Sequence, residues 1–171
     1  MAEGVRISIV ADGMAQFSRE FSRMDAKFED LTPIWPDVRG FFWEIQGEQF
    51  DSQGSKGGGG KWKALSKRYA IQKIARYGSG KKILEGTGAL RDSLTGDAEG
   101  SYFSSSKTEV AIGTTIPYGI YHHRGMGNNP KREIISFSDR QQTDMMKVIQ
   151  TGLIRELRKG NGFIDVRDRD F

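Results

Sequence analysis

Residues 101–112 read SYFSSSKTEVAI. Two short runs rich in aromatic and β-branched residues, 101–105 and 108–112, flank Ser106-Lys107, which is the pattern of a β-hairpin. Far upstream, Val5-Arg6-Ile7-Ser8-Ile9-Val10 alternates apolar and polar residues and predicts a strand with one buried face. Downstream, REIISF at 132–137 predicts a further strand. Around these strands the spacing becomes helical. Met14, Phe17, Phe21, Met24 and Phe28 form one stripe, and Ile34, Val38, Phe41, Phe42 and Ile45 form another. Thr32 is a candidate N-cap for that second helix, with Pro33 at its first position. Trp35 and Trp43 add a second apolar face, which calls for two surfaces to pack against: the sheet and a partner subunit. A closing helix begins at Ser138, with Gln141 completing a capping-box pattern, and carries Met145, Met146, Val148, Ile149, Leu153, Ile154 and Leu157. The whole predicts an α+β domain over residues 1–160, with amphipathic helices packed on a small, largely antiparallel sheet. Residues 161–171 form a tail or an edge strand.

The glycine-rich stretch DSQGSKGGGGK at 51–61 contains no apolar residue. Four consecutive glycines offer nothing to pack, so a long flexible loop is expected there. Beyond it, Trp62, Leu65 and Tyr69 stand three and four apart and are expected to turn together into the core. A short basic helix follows, broken by Gly78-Ser79-Gly80.

The chain has 171 residues, 36% of them hydrophobic and 11% aromatic, which suffices for one core. No apolar run approaches the ~20 residues of a membrane span. The opening MAEGVRISIVADG lacks the apolar length of a secretory signal, so folding in a cytoplasm is expected. Cysteine is absent, which removes disulfides, thiol nucleophiles and the usual structural zinc sites.

Charge is segregated. Residues 1–51 hold five Lys or Arg against ten Asp or Glu, whereas residues 52–84 hold nine Lys or Arg and no acid. The basic face comprises Lys61, Lys63, Lys67, Arg68, Lys73 and Arg76. Such a face can track phosphates. It can equally meet the acidic first third of a neighbouring copy, since head-to-tail rings join two unlike surfaces of one subunit.

The familiar catalytic patterns are missing. GGGGK is not a phosphate loop, because Lys61 is followed by Trp62 and not by a hydroxyl residue. His122 and His123 are adjacent, so their side chains diverge and do not readily share a metal; one is expected to hydrogen-bond inward and the other to be exposed. No G-x-S-x-G elbow occurs, and nothing singles out a carboxylate pair. No catalytic residue, cofactor or metal site is assigned.

Three segments, in order, carry a resemblance. The first is GKWKALSKRYAIQK, with Trp62, Leu65, Ser66, Tyr69 and Lys73, preceded by the glycine run. The second is KKILEGTGALRDSL, with Thr87-Gly88, Leu90 and Ser93. The third is IPYGIYHHRG followed by PKREIISFSD, with Pro117-Tyr118, His122, Gly125, Pro130 and Arg132. Together, over roughly residues 50–140, they resemble the tailed-phage virion morphogenesis family of tail-completion or neck proteins. Where that family commonly shows a His-Gln-x-Gly-like segment, this chain reads His122-His123-Arg124-Gly125.

The resemblance implies a non-enzymatic structural protein of the virion neck or tail end. It would be made in the host bacterial cytoplasm and assemble as a six-fold homo-oligomeric ring. Its implied partners are tail-tube and head–tail connector proteins, with non-specific contacts to passing DNA and no membrane. Trp62, Leu65, Tyr69, Thr87, Gly88, Leu90, Pro117, Tyr118, His122, Gly125 and Arg132 are the motif and interface candidates. Trp62, Ile83, Leu84, Leu65 and Leu90 also suit the monomer core, and Gly88 and Gly125 suit special backbone geometry. The alternative is a nucleic-acid-binding protein using residues 56–82, where Trp62, Tyr69 and Tyr77 interleave with the basic residues.

Overall fold

The computed structural model describes residues 5–10 and 30–160. The helix expected over 14–28 and the tail at 161–171 lie outside the described residues. The architecture is α+β. In chain order it comprises β1 (Val5–Val10), a 3-10 turn (Thr32–Ile34), α1 (Trp35–Asp51), α2 (Lys67–Tyr77), α3 (Ala89–Thr95), β2 (Ser101–Ser105), β3 (Glu109–Thr114), α4 (Tyr118–Arg124) and α5 (Asp139–Gly160).

The expected hairpin is present, and β3 is the middle strand of an antiparallel sheet ordered β1-β3-β2. Ile112 stands opposite Phe103 on one side and Ile7 on the other. Val110, Ile112 and Thr114 are buried at alternate positions, the period that turns one face of a strand toward helices. Thr114 is polar, so its hydroxyl needs partners there. It lies 2.7 Å from the Ser93 hydroxyl of α3, and the Ser101 hydroxyl donates to the Ser93 carbonyl at 3.0 Å. These bonds fix α3 against the sheet.

α1 is the hub. It packs on α3, α5 and β3, and contributes Trp35, Val38, Phe42, Ile45 and Phe50 to the core. Full burial of side chains this size is worth about 1.5–3 kcal/mol each. The second apolar face is met from within the chain: Trp43 packs on the core edge, and the Arg39 guanidinium sits 4.8 Å from its ring centroid. The helix start also differs from expectation. Thr32 lies inside the 3-10 turn, whose N-cap position is Leu31, and donates its backbone N–H to the Asp30 carboxylate at 2.9 Å.

α5 runs antiparallel to α1. Its first turn shares a cleft with Phe41, Ile45 and Glu48, whereas Arg155, near its other end, pairs with Asp37 at 2.8 Å. The capping box is made as expected: the Ser138 N–H donates to Gln141 Oε1 at 2.9 Å, and the Gln141 N–H donates back to Ser138 Oγ at 3.4 Å.

Two expectations change. Residues 132–137 form no strand, because their backbone groups are taken one at a time, the Arg132 N–H by the His122 carbonyl and others by side chains. The Glu133 carbonyl accepts from Gln49 Nε2 and Trp62 Nε1, and the Ile134 N–H donates to His123 Nδ1. The glycine run is a loop, but it has anchors of another kind. Without side chains, its backbone approaches Gln49, Glu133 and Phe137 so closely that a methyl group at Gly58 would stand 2.5 Å from the Phe137 carbonyl oxygen. Close approach replaces the apolar contact that the sequence lacks.

Candidate functional site

The loop returns through Trp62, which is buried against Phe50 in an edge-on contact at 5.3 Å and donates its indole N–H to Glu133 O at 3.0 Å. The chain then runs without helix to Ser66, whose hydroxyl accepts from the Tyr69 N–H at 3.3 Å and starts α2. Because the helix begins only at Lys67, Trp62, Leu65 and Tyr69 are not one helical stripe. Trp62 enters the core, Leu65 is half-buried, and Tyr69 is 52% exposed. Ile71 and Ile74 are more exposed than buried as well, and Lys73 is the only buried residue of α2.

Beneath α2 opens a cleft of about 910 Å³. Its other walls are the strap at 83–87, the start of α4 and the turn at 127–132. The three resembling segments meet here: Leu65, Tyr69, Thr87, Tyr118, His122 and Arg132 all line it, together with Lys63 and Lys73. Trp62 and Leu90 lie behind it in the core. Gly88 and Gly125 stand at positive φ, 98° and 71°, at the start of α3 and the end of α4. Pro117 is the N-cap residue of α4 and lies outside the lining. Sequence reasoning passed over Asn128 and Asn129, a polar turn with no apolar period to mark it. Leu84, at a positive φ of 63°, also lines the cleft, an unusual backbone position for a bulky residue.

The floor carries two cations. Arg132 is 4% exposed and donates from Nε and Nη2 to one acceptor, the Lys63 carbonyl, at 3.0 and 2.8 Å. Lys73 is 6% exposed and donates to the Lys82 carbonyl. Lys73 therefore does not belong to the exposed basic face; it turns inward. Burial lowers the pKa of both groups, with Tyr69 opposing the shift at Arg132 and Glu85 opposing it at Lys73. Neither cation has an ion pair among the described residues, and no acid lines the cleft. The nearby Glu85 is engaged by Arg91 at 3.1 Å.

The histidines depart from the expected pair. His123 accepts from the Ile134 N–H at 3.1 Å, as an inward partner should. His122, however, is half-buried, stacked edge-on against Tyr118, with Nδ1 buried and unpartnered. Lys63, at the cleft, and Lys61, Lys67, Arg68 and Arg76, outside it, are exposed and form no ion pair among the described residues. By contrast Lys56 and Lys82 pair with Glu48 and Asp51 at the end of α1, so part of the basic segment is neutralised within its own chain.

Cations recessed among tyrosines, in a lining that holds no carboxylate, suit the capture of an anionic group. No curated protein and no solved structure matches the chain. The model of the phage virion morphogenesis family matches residues 12–153, which takes in the core, all three segments and the cleft they line. The chain belongs to the phage virion morphogenesis family, and its role is a structural or assembly one in building the phage particle.

Proposed function

We propose that the protein is a non-enzymatic tail-completion or tail-terminator component at the junction of phage tail and head, working as a six-fold ring. The family match carries the assembly role. The exposed pair Ile71 and Ile74 on α2, three residues apart on one side of the helix, supports the ring, because apolar side chains exposed on a basic helix are suited to contact with a neighbour. In this reading the tail-tube and head–tail connector proteins stack above and below, and the virion neck is its place. The exposed cations of 61–76 then face DNA passing through the lumen.

Sedimentation velocity and negative-stain electron microscopy of the purified chain test the proposal. Closed rings of uniform size are expected. A monomer at every concentration, together with absence of the protein from purified virions, would overturn it. The alternative, a nucleic-acid-binding protein using residues 56–82, is favoured by the five exposed cations that form no ion pair among the described residues; it predicts a monomer that retains DNA in a strongly salt-dependent way.

A further inference from the structure

We infer that the cleft is a binding site for a peptide segment of a partner protein, one that presents a carboxylate beside apolar side chains. The inference goes beyond the ring reading and does not depend on it. It starts from the Arg132 guanidinium, which holds its N–H donors as a planar fork. Nε and one Nη2 hydrogen are spent on the Lys63 carbonyl, at 3.0 and 2.8 Å. The other edge, Nη1 with the second Nη2 hydrogen, has no partner among the described residues. Such a parallel pair of donors grips a carboxylate through two bonds.

Lys73 shares the floor. One of its ammonium hydrogens goes to the Lys82 carbonyl, and the others have no partner among the described residues. The two cations act on each other, since the Arg132 charge lowers the Lys73 pKa. Glu85 opposes that shift, but it forms no ion pair with Lys73 and is held by Arg91 at 3.1 Å. An anion at the floor would offset the repulsion. His122 Nδ1, in the same lining, is buried and lacks a partner as well.

The walls decide which anion fits. Arg132 and Lys73 are recessed, at 4% and 6% exposure, so a single side chain reaches them. The backbone of a DNA duplex meets exposed cations such as Lys67 and Arg68 first. Leu65, Ile83 and Leu84 line the same cleft and offer apolar surface, against which a phosphodiester buries nothing. At the rim, Asn128 is exposed and its side-chain amide makes no hydrogen bond among the described residues. It is therefore open to pair, as donor and acceptor, with a peptide group. A carboxylate for the floor, apolar side chains for the wall and a main-chain amide for the rim are the parts of an acidic peptide.

The probe is acetyl-Leu-Asp-Leu-amide, added to the full chain and followed by nitrogen–proton NMR at the Arg132 Nε–H and the Asn128 side-chain amide. Saturable shifts at both are expected. Acetyl-Leu-Asn-Leu-amide has the same shape without the charge and should bind about tenfold or more weakly. Arg132→Lys keeps the charge but not the fork, and should weaken the Asp peptide by a similar factor, read at Asn128. Lys67→Gln, exposed and outside the lining, should change it little. If circular dichroism shows that Arg132→Lys does not fold, the two peptides on the native chain decide alone. Equal binding of both peptides, or no saturable shift from either, would sink the inference. Shifts at Arg132 from sodium phosphate or a short DNA duplex, at lower concentration than the Asp peptide needs, would assign the floor to phosphate instead. Neither failure touches the ring, which sedimentation and microscopy judge separately.

Discussion

Trp62 joins packing and polarity in one side chain: its ring meets Phe50 and its N–H meets the Glu133 carbonyl. Trp62→Ala should cost about 3–5 kcal/mol in urea unfolding, the range for large aromatic truncation. Trp62→Phe keeps much of the packing but removes the donor and should cost about 1–3 kcal/mol, because a buried carbonyl then loses one of its partners. A second prediction concerns pH. Burial holds His122 and His123 below the ordinary imidazole value of 6.5; the Arg132 charge adds to the shift at His122, and Glu133 opposes it at His123. The unfolded chain then takes up protons before the folded one. Stability should be complete above about pH 6.5 and decline as pH falls toward the lowered folded values. The carboxylates whose pKa values are lowered weigh only below about pH 4.5. Urea midpoints at pH 7.5 and 5.5 should differ in the native chain, and the difference should shrink in a His122→Asn, His123→Asn chain.

Among the elements, two glycines should respond in opposite directions to the same change. Gly40 lies in α1 with open space where a methyl group would go, so Gly40→Ala should raise stability by about 0.5–1 kcal/mol. Gly58 lies against backbone, so Gly58→Ala should lower stability by about 1–3 kcal/mol. Thermal melts of the two variants check both signs. The hairpin, β1, α1 and the capped α5 were legible because period and capping are local properties. Residues 132–137 were misread for the same reason: their β-rich composition suits a strand, but the partners of their backbone groups are Trp62, Gln49 and His123, all distant in sequence. The cleft was half legible. Its motif residues were singled out one by one, yet nothing local distinguishes the inward Lys73 from the outward Lys67 on one basic helix, since the strap that buries Lys73 comes from residues 82–87.

For the molecule as a whole, charge was read correctly in sum and only partly in use. Glu48 and Asp51 are already met by Lys56, Lys82 and Arg91, so the acidic third is not wholly available to a neighbour. Lys67 and Arg68 are exposed and without ion pairs among the described residues. Lys67→Glu with Arg68→Glu should therefore leave the melting transition within about 0.5 kcal/mol of native. The same pair should weaken DNA retention and flatten its salt dependence, measured by filter binding across a salt series. The sheet has a consequence for how the chain is made. β1 lies opposite β3 in a register that sets Val5 against Thr114, about a hundred residues later. At the ~5–20 residues per second of synthesis, the first strand leaves the ribosome some 5–20 seconds before its partner exists. The β2–β3 hairpin can close at once from neighbouring residues, but β1 must wait as an open edge, and closing so long a loop is slow. In pulse-labelled hydrogen exchange on refolding, β1 should be the last strand protected, and nascent chains halted before residue 109 should be the ones that aggregate.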